Sequence, residues 1–576
     1  MRIVFIKFFF LTFFLAIILR LFYWQVVKAD ELSAKAEGQH FKSIQVSAKR
    51  GNIYYANGSI LASTNPVFSL YGLPKVIPES EKSKVATSLA KLFLNEKYKD
   101  LLDESDYREE INKTKEEILN SLTQDLYWVS IKKNIDLQTK QKIEDLKITG
   151  LGFESSSGRF YPEGSSSAHL LGFVGFNARG ETTGYFGLEG YYDGDLKGIP
   201  GLIRHEKDAM GLPILIGKFL STGSKNGKNL ISTIDQSVQF IVEKALKKGV
   251  EKYGAKAGSV IVMDPKTGNI LALAAYPNYD PLKYYDFPKE FYKNPAVAEQ
   301  YEPGSTFKVL VLAAALNEDV VKPDTKCDMC DKPVSLGGFS ISTWNNKYYP
   351  DSTMKDVIVH SDNTGMVFIS KKLGLDKMYK YIEDFGFGQP TNIDLQDETS
   401  PSIRSQKEWR EIDLATASFG QGIAITPIQM VRAVAALANK GYLMEPHVVK
   451  EVKDEKESFV VKPNIIRQVI SEESAKIITE IMVAAVEEGE SKWVKPKGFK
   501  VAGKTGTAQI PVAGHYDANK TIASFVGFAP ADDPKFVMLV RYDQPSSSIY
   551  GSETAAPTFF EIAKELFTYF KIAPSE

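Results

Sequence analysis

The chain has 576 residues, of which 43% are hydrophobic and 24% charged, and its formal net charge at pH 7 is -1. This composition is that of an ordinary folded protein long enough for more than one domain. The chain is nearly neutral and has no extended basic stripe, so the sequence excludes the charge pattern of a nucleic-acid-binding protein.

The amino terminus differs from the rest in composition. The stretch from Ile3 to Val27 is apolar or aromatic at nearly every position, and about 20 such residues are enough to cross a bilayer. Arg2 and Lys7 place positive charge before the longest apolar run, which predicts a cytoplasmic amino terminus and an exported remainder. We therefore expect residues 1–28 to form a cytoplasmic end and a membrane anchor, with a cleaved signal peptide or a buried soluble helix as alternatives.

Polar sequence follows the anchor. Residues 29 to about 49 are polar and helix-prone, and the stretch from Glu79 to Lys140 is rich in Lys, Glu, Asp and Leu at helical spacing. The second stretch predicts a solvated helical subdomain, or in functional terms a head that binds a partner. The polar segment Ser221 to Asn229 predicts a linker, and we place the boundary between a first module, 29–225, and a second domain, 226–576, within it.

The second domain shows strand patterns at both ends and helices between. Thr233 to Gly249 is amphipathic with Asp235 as a candidate amino-terminal cap. Strand-like runs follow, and the first two flank Lys266-Thr267-Gly268, which predicts a hairpin turn. The runs are Ser259 to Met263, Ile270 to Ala275, Thr521 to Phe528 and Phe536 to Tyr542. This order predicts an α+β fold in which helices cover a sheet.

The string Ser305-Thr306-Phe307-Lys308 opens an apolar run that predicts a buried helix. A serine hydroxyl is a poor nucleophile without a base, and a lysine three residues on lies on the same helix face. Ser305 is therefore the candidate nucleophile and Lys308 its base, provided that burial and a cation such as Lys504 keep the amine neutral. The string Ser130-Ile131-Lys132-Lys133 fits the same pattern in a charged region, where we interpret it as solvated surface.

Two further strings follow in order, Ser361-Asp362-Asn363 and Lys504-Thr505-Gly506-Thr507. Either string alone is common in turns, but the ordered set of three resembles the penicillin-binding proteins. The resemblance extends to class B of that family through several shorter segments. These are Arg50-Gly51-Asn52-Ile53, Arg159-Phe160-Tyr161-Pro162-Glu163-Gly164, His169-Leu170-Leu171-Gly172, Gly187-Leu188-Glu189, Gly420-Gln421-Gly422 and Ala555-Ala556-Pro557.

The resemblance implies a fold and a reaction. The implied fold is a membrane-anchored, elongated stalk and head module followed by an antiparallel sheet covered by helices, similar to the serine β-lactamases. The implied reaction is D,D-transpeptidation of peptidoglycan during septal wall synthesis, with covalent inhibition by β-lactams. Ser305 would attack the D-alanyl-D-alanine bond, Lys308 would accept its proton, and Ser361 would relay that proton to the leaving amine.

The resemblance also implies how the substrate is held. Asn363 would bind the substrate amide, and the string Lys504-Thr505-Gly506-Thr507 would bind the terminal carboxylate. The implied oxyanion site is formed by the backbone N–H groups of Ser305 and Thr507. No metal and no organic cofactor is implied.

Partners and location follow from the same resemblance. They are stem peptides of glycan strands derived from lipid II, β-lactams, a membrane glycosyltransferase of the SEDS family and other division proteins. The protein would cross the bacterial cytoplasmic membrane once, with its catalytic domain outside. Three alternatives stay open: an elongation-type transpeptidase, a β-lactamase-like hydrolase and a non-catalytic division scaffold. Against the hydrolase, no Glu-x-x-Leu-Asn segment lies between Asn363 and Lys504.

Cys327 and Cys330 are the only cysteines in the chain. In an exported domain this spacing predicts either a local disulfide or two idle thiols. Metal binding would need further ligands close by, and the six histidines show no pair at metal-binding spacing.

Overall fold

The computed structural model describes residues 2–94, 104–206, 219–512 and 515–574. Contacts between residues group the chain into two units. One unit consists of Met1–Gly51 with Lys197–Gly227, and the other of Asn52–Leu196 with Lys228–Glu576. The predicted domain boundaries after residues 28 and 225 remain a prediction.

The described residues form strands and helices throughout both units. In chain order the strands are β1 Phe41–Val46, β2 Ile53–Tyr54, β3 Ile60–Gly72, β4 Val129–Ile135, β5 Leu151–Phe160, β6 Phe173–Phe176, β7 Thr182–Tyr185, β8 Gly201–Glu206, β9 Phe219–Thr222, β10 Asn229–Ser232, β11 Ala257–Met263, β12 Ile270–Tyr276, β13 Val334–Leu336, β14 Phe339–Ile341, β15 Tyr442–Met444, β16 Val449–Lys453, β17 Ser458–Val460, β18 Ile465–Gln468, β19 Ala502–Val512, β20 His515–Ala529 and β21 Phe536–Asp543.

The α-helices are α1 Arg2–Phe22, α2 Ala29–His40, α3 Glu79–Phe93, α4 Glu104–Leu122, α5 Leu137–Asp145, α6 Ala168–Leu171, α7 Gly187–Tyr191, α8 Asp193–Leu196, α9 Gln236–Tyr253, α10 Pro295–Ala298, α11 Lys308–Asn317, α12 Met354–Val359, α13 Asn363–Leu373, α14 Leu375–Asp384, α15 Glu411–Ser418, α16 Pro427–Ala438, α17 Glu472–Glu487 and α18 Ala555–Tyr569. A π-helical turn spans Tyr23–Val27, and 3₁₀ turns span Tyr284–Asp286, Lys289–Phe291, Gly304–Phe307 and Gln406–Glu408.

The smaller unit contains the apolar amino-terminal helix and a three-stranded sheet. Helix α1 and the turn after it span 26 residues and include an 18-residue window of mean hydropathy 2.4, which is long and apolar enough to cross a membrane, and no side chain of α1 is buried. The predicted apolar helix is thus confirmed, and both a membrane anchor and a signal sequence meet this criterion of length and apolarity. Strand β1 pairs antiparallel with β8, and β8 with β9. The helix-prone prediction for residues 29–49 is right for α2 and wrong for β1.

A head within the larger unit has its own apolar core. Helices α3, α4 and α5 pack on β3, β4 and β5 through a core that includes Leu70, Leu89 and Leu122. The helical prediction for Glu79 to Lys140 is right for α3 and α4 and wrong for β4, which pairs with β3. Only the two end residues of β4 are buried. The residues between them are largely polar or charged and do not alternate with apolar ones, so the sequence does not indicate a strand here.

A five-stranded sheet forms the centre of the larger unit, in the order β12-β11-β21-β20-β19 with antiparallel pairs. Successive side chains of a strand point to opposite faces, and β11 follows this rule. Val260 and Val262 pack with α9 and α18 on one face. Ile261 and Met263 pack on the other face with α11, α16 and α17. The predicted α+β fold is therefore confirmed.

Local signals account for several of these elements. Asp235 caps α9 by accepting hydrogen bonds from the N–H groups of Ser237 and Val238, as the sequence predicted. Helix α11 is buried from Lys308 to Leu316 because it is apolar on every face. Cys327 and Cys330 form a disulfide with Cα atoms 5.7 Å apart.

Candidate active site

Ser305 lies in the 3₁₀ turn Gly304–Phe307, which runs directly into α11. The turn is held on two sides. The N–H of Gly304 donates to the carbonyl of Gly420 at 3.0 Å, and a β-carbon on Gly420 would lie 2.2 Å from the Gly304 oxygen. On the other side, Gly506 of β19 lies so close that its β-carbon would meet Thr306 Cγ2 at 2.7 Å. The glycines therefore let two backbones clamp the turn, and Ser305 stays half-buried.

Lys308 lies three residues beyond Ser305, and its N–H donates to the Ser305 carbonyl. Side chains three residues apart eclipse in a 3₁₀ turn, so the two side chains leave the same side of the chain. Lys308 Nζ lies 2.7 Å from the Ser361 carbonyl oxygen, 2.8 Å from Asn363 Oδ1 and 3.3 Å from Ser361 Oγ. Its side chain is fully buried. Burial first, and then the charge of Lys504, lower the pKa of Lys308 to about 7.

The Ser361 to Asn363 string joins α12 to α13. Ser361 has a positive φ of 55°, which is uncommon for a residue with a side chain and typical of functional sites. Asp362 caps α13 by accepting from the N–H groups of Thr364 and Gly365. Asn363 accepts from Lys308 and donates to the Ser342 carbonyl oxygen at 3.0 Å. The cap and these hydrogen bonds fix the Asn363 amide beside Lys308.

The third string lies on strand β19. The sequence placed the string before the strand-like run Thr521 to Phe528 and assigned it no secondary structure of its own, because its mixture of Gly, Thr and Lys has no apolar alternation. Lys504 is buried, which lowers its pKa, and its Nζ donates to Thr505 Oγ1 at 3.0 Å. The Thr507 hydroxyl accepts from the N–H of Gly551 at 3.1 Å. Gly506 is needed because a β-carbon there would lie 2.5 Å from Ser524 Oγ.

Residues from all three strings line one cavity of about 250 Å³. Of the predicted site residues it is lined by Ser305, Ser361, Asn363, Thr505 and Thr507. Lys308 and Lys504 lie buried behind this lining. A larger cavity, of about 1370 Å³, lies in the head and contains none of the predicted site residues.

Other side chains complete the walls of the cavity. Trp344 and Tyr550 line it with ring centroids 5.6 Å apart, and Glu490 lines it beside Thr505. None of these three residues was predicted from the sequence, because each stands in a segment without a recognisable pattern. In the described part of the chain, no group of three or more His, Cys, Asp and Glu side chains is placed to hold a metal ion.

Two family models match this chain. The penicillin binding protein transpeptidase domain matches residues 258–564, and the penicillin-binding protein dimerisation domain matches residues 45–232. Stage V sporulation protein D of Bacillus subtilis is 34% identical over 100% of this chain and 86% of its own length. Peptidoglycan D,D-transpeptidase FtsI of Escherichia coli is 28% identical over 96% of this chain and 89% of its own length.

A solved structure shows the same architecture. Penicillin binding protein 2X from Streptococcus thermophilus superposes with a TM-score of 0.73 at 27% identity, covering 93% of this chain and 81% of that protein.

Proposed function

This chain belongs to the class B penicillin-binding proteins and is a peptidoglycan D,D-transpeptidase, and we propose that Ser305 is its nucleophile and Lys308 the base that activates it. The observation that carries this assignment is the environment of Lys308. It is a fully buried lysine with a pKa of about 7, one turn from a half-buried serine that lines the cavity. A neutral amine at physiological pH is what a serine nucleophile needs.

The contacts of Lys308 suit a neutral amine. Its two N–H groups can donate to the Ser361 carbonyl at 2.7 Å and to Asn363 Oδ1 at 2.8 Å. The remaining lone pair is then free to accept a proton from Ser305 Oγ. The longer contact, 3.3 Å from Lys308 Nζ to Ser361 Oγ, can pass the proton from Lys308 on to Ser361, because a hydroxyl both donates and accepts.

In the proposed acylation, Ser305 Oγ forms a bond to the carbonyl carbon between two D-alanines of a stem peptide. The C–N bond to the terminal D-alanine breaks, and the serine proton passes through Lys308 and Ser361 to the leaving nitrogen. Asn363 binds the substrate amide, and the backbone N–H groups of Ser305 and Thr507 bind the developing oxyanion. The buried cation of Lys504 and the hydroxyls of Thr505 and Thr507 hold the terminal carboxylate, with Gly506 keeping β19 against the nucleophile turn.

In the second half-reaction, an amine from a neighbouring strand attacks the acyl-enzyme and restores the Ser305 hydroxyl. The hydrolase alternative would instead require an activated water at the ester. A β-lactam adduct on this protein is therefore expected to persist, and rapid recovery of free enzyme would favour the hydrolase.

The assignment is tested by labelling the purified protein with a β-lactam and locating the adduct by mass spectrometry. The strained lactam amide resembles the D-alanyl-D-alanine bond and meets the same nucleophile. The adduct is expected on the peptide that contains Ser305. An adduct on the Ser130 peptide, or no adduct, would overturn the proposal.

The cellular role is proposed to be septal wall synthesis, on the resemblance to division transpeptidases. Ser305→Ala removes the nucleophile with little change in volume, so the variant is expected to localise like the wild type yet fail to replace it. Full complementation would favour the scaffold alternative. Depletion is expected to give filamentous cells, whereas spherical cells would favour the elongation alternative.

The apolar helix is proposed to anchor the protein, with Arg2 and Lys7 in the cytoplasm and the catalytic domain outside. Its unburied side chains also offer a surface to another membrane protein, and a SEDS-family glycosyltransferase is the proposed partner. Amino-terminal sequencing of the mature protein is expected to give the sequence that starts at Met1 or Arg2. A sequence that starts at Asp30 would show a cleaved signal peptide.

The proposed partner is tested by co-purification. Failure of the glycosyltransferase to co-purify with this protein would contradict the proposed interaction.

A further inference from the structure

Glu490 introduces a negative charge at the end of the cavity where the proposed function places the carboxylate of the acyl donor. It follows α17 after Glu488 and Gly489, and its half-buried side chain lines the cavity. Gly489 fixes this position, because a β-carbon there would lie 2.3 Å from the Ala485 carbonyl oxygen and 3.0 Å from that of Val359. Val359 ends α12, two residues before Ser361. The backbone that presents Glu490 is therefore packed against the segment that presents Ser361.

Glu490 takes the only hydrogen that the Thr505 hydroxyl can donate. Thr505 Oγ1 lies 2.9 Å from Glu490 Oε2, and it also accepts from Lys504 Nζ at 3.0 Å. A carboxylate cannot donate, so the hydrogen between Thr505 and Glu490 belongs to the threonine. A threonine hydroxyl carries one hydrogen, so Thr505 cannot donate to an incoming carboxylate while it donates to Glu490. A ligand carboxylate must compete with Glu490 for this hydroxyl.

The charge of Glu490 also acts on the two buried lysines. It raises the pKa of both Lys504 and Lys308 and so favours their protonated forms. For each lysine this effect is weaker than that of burial, which lowers the pKa. In the described part of the chain, neither lysine has an ion-pair partner within salt-bridge distance. Glu490 therefore partly neutralises a positive site that would otherwise attract any anionic ligand, and it raises the cost of adding a second carboxylate there.

We propose that Glu490 is a specificity-determining residue, which disfavours acyl donors that bring only negative charge to the Thr505 end of the cavity and favours donors that carry a cationic group beside their carboxylate. This inference rests on the proposed function, since it takes Lys504 and Thr505 as the carboxylate site. The ligand class it selects is zwitterionic at that end. The substitution Glu490→Gln would keep the shape of the side chain and remove its charge.

The test uses the full-length protein and two cephalosporins that differ only at ring carbon 3, next to the carbon that bears the carboxylate. One carries a neutral acetoxymethyl group and the other a cationic pyridiniummethyl group. The quantity compared is the ratio of their second-order acylation constants, cationic over neutral, because the ratio between variants cancels the intrinsic reactivity of each lactam. Glu490→Gln is expected to lower this ratio by about three- to tenfold, the size expected for unit charges several ångströms apart in a partly hydrated site.

The matched control is Glu488→Gln, which removes an equal charge two residues away, where Glu488 pairs with Lys355 at the surface. This control is expected to keep the wild-type ratio. Glu490→Asp keeps the charge and is expected to keep most of the cationic preference, which separates a charge effect from a loss of packing. Thermal unfolding of each variant tests whether it is folded. If Glu490→Gln lowers the melting temperature, the ratio in Glu490→Ala is compared with the ratio in Glu490→Asp instead, because these two variants differ in the charge.

An unchanged ratio in Glu490→Gln, with the adduct still on Ser305, would overturn this inference and leave the proposed function standing. Absence of any Ser305 adduct in the wild type would overturn both. A fall in the ratio that Glu488→Gln reproduces would show a long-range effect of net charge and would also overturn the role of Glu490.

Discussion

The chain contains two copies of the Ser-x-x-Lys pattern, and the structure places them in opposite surroundings. Ser130 and Lys133 lie on β4 and are exposed. Ser305 lies in a 3₁₀ turn, and Lys308 begins a buried helix. On a strand, residues three apart point to opposite faces, whereas in a 3₁₀ turn they eclipse. The same pattern therefore brings a serine and a buried lysine to one side of the chain at Ser305, and gives two separate surface side chains at Ser130.

The Lys-Thr-Gly pattern also occurs twice, with the same contrast. Lys266 lies in the turn between β11 and β12 and forms an ion pair with Asp533 at 2.5 Å, with both side chains about half exposed. Lys504 lies near the start of β19, is 3% exposed, and donates to Thr505 instead of a carboxylate. Desolvation without a counter-charge is what lowers the pKa of a lysine. Burial and secondary structure, and not the pattern, distinguish the copy proposed to bind the carboxylate from the surface copy.

The largest expected effect separates the two Ser-x-x-Lys copies. Lys308→Met keeps the length of a buried side chain and removes the base, so the acylation rate is expected to fall by about a hundredfold to ten-thousandfold. Lys133→Met, on an exposed position, is expected to leave the rate unchanged. Both are measured as second-order labelling constants with a fluorescent penicillin. A Lys308→Met protein that labels within tenfold of wild type would remove Lys308 from the mechanism.

The second effect separates the two Lys-Thr-Gly copies. Lys504→Ala removes a buried cation from the carboxylate site, and a charged hydrogen bond of this kind is worth about tenfold to a hundredfold in binding. Lys266→Ala is the matched control, and its acylation rate is expected to match wild type. The comparison uses the same labelling assay. Equal losses in both variants would mean that the contrast in burial does not carry the function.

A third effect, in pH dependence, sharpens the difference between a buried lysine and an exposed one. The pKa of Lys308 is about 7, lowered by burial and by Lys504 and raised by Asp362 and Glu490. Because only the neutral amine accepts a proton, acylation is expected to be full above pH 7 and to fall about tenfold per pH unit below it. The rate is measured from pH 5 to 9 with a lactam that does not itself titrate in this range.

Two variants that remove a charge are expected to shift this pH profile in opposite directions. Lys504→Ala removes the cation that lowers the pKa of Lys308, so its acid limb is expected to move to higher pH. Glu490→Gln removes an anion that raises this pKa, so its acid limb is expected to move to lower pH. Shifts in the reverse directions, or a profile without an acid limb near pH 7, would assign the titration to another group.

Sequence patterns predicted the parts of the fold with strong local signals. Strands β11, β12 and β21 are nearly continuous apolar runs, and α9 has both an amphipathic pattern and the Asp235 cap. The pattern failed where tertiary packing sets the structure. Strand β4 has a charged middle, and β19 carries Lys504 in a segment of small and polar residues.

The candidate site was predictable where its residues belong to the three strings, which the fold brings to one cavity. Glu490, Trp344 and Tyr550 were not, because each reaches the cavity from a segment with no pattern of its own. Glu490 is 15 residues from Thr505 along the chain, a separation that no helical or strand period connects. Only the packing of Gly489 against α12 and α17 places it there.

The smallest expected effect concerns the stability contributed by Lys266, in the exposed copy of the Lys-Thr-Gly pattern. Lys266 and Asp533 are both about half exposed, and Asp533 also pairs with Lys535 at 2.6 Å, so Lys266→Ala leaves the aspartate with a partner. Exposed pairs are worth about 0.2–1 kcal/mol, since water and salt screen the attraction and ordering two side chains costs entropy. The free energy of unfolding of Lys266→Ala is therefore expected to fall by less than about 1 kcal/mol. A cycle with Asp533→Asn, measured by denaturant unfolding, isolates the pair, and a coupling above about 2 kcal/mol would show that this turn is not the solvated segment its exposure indicates.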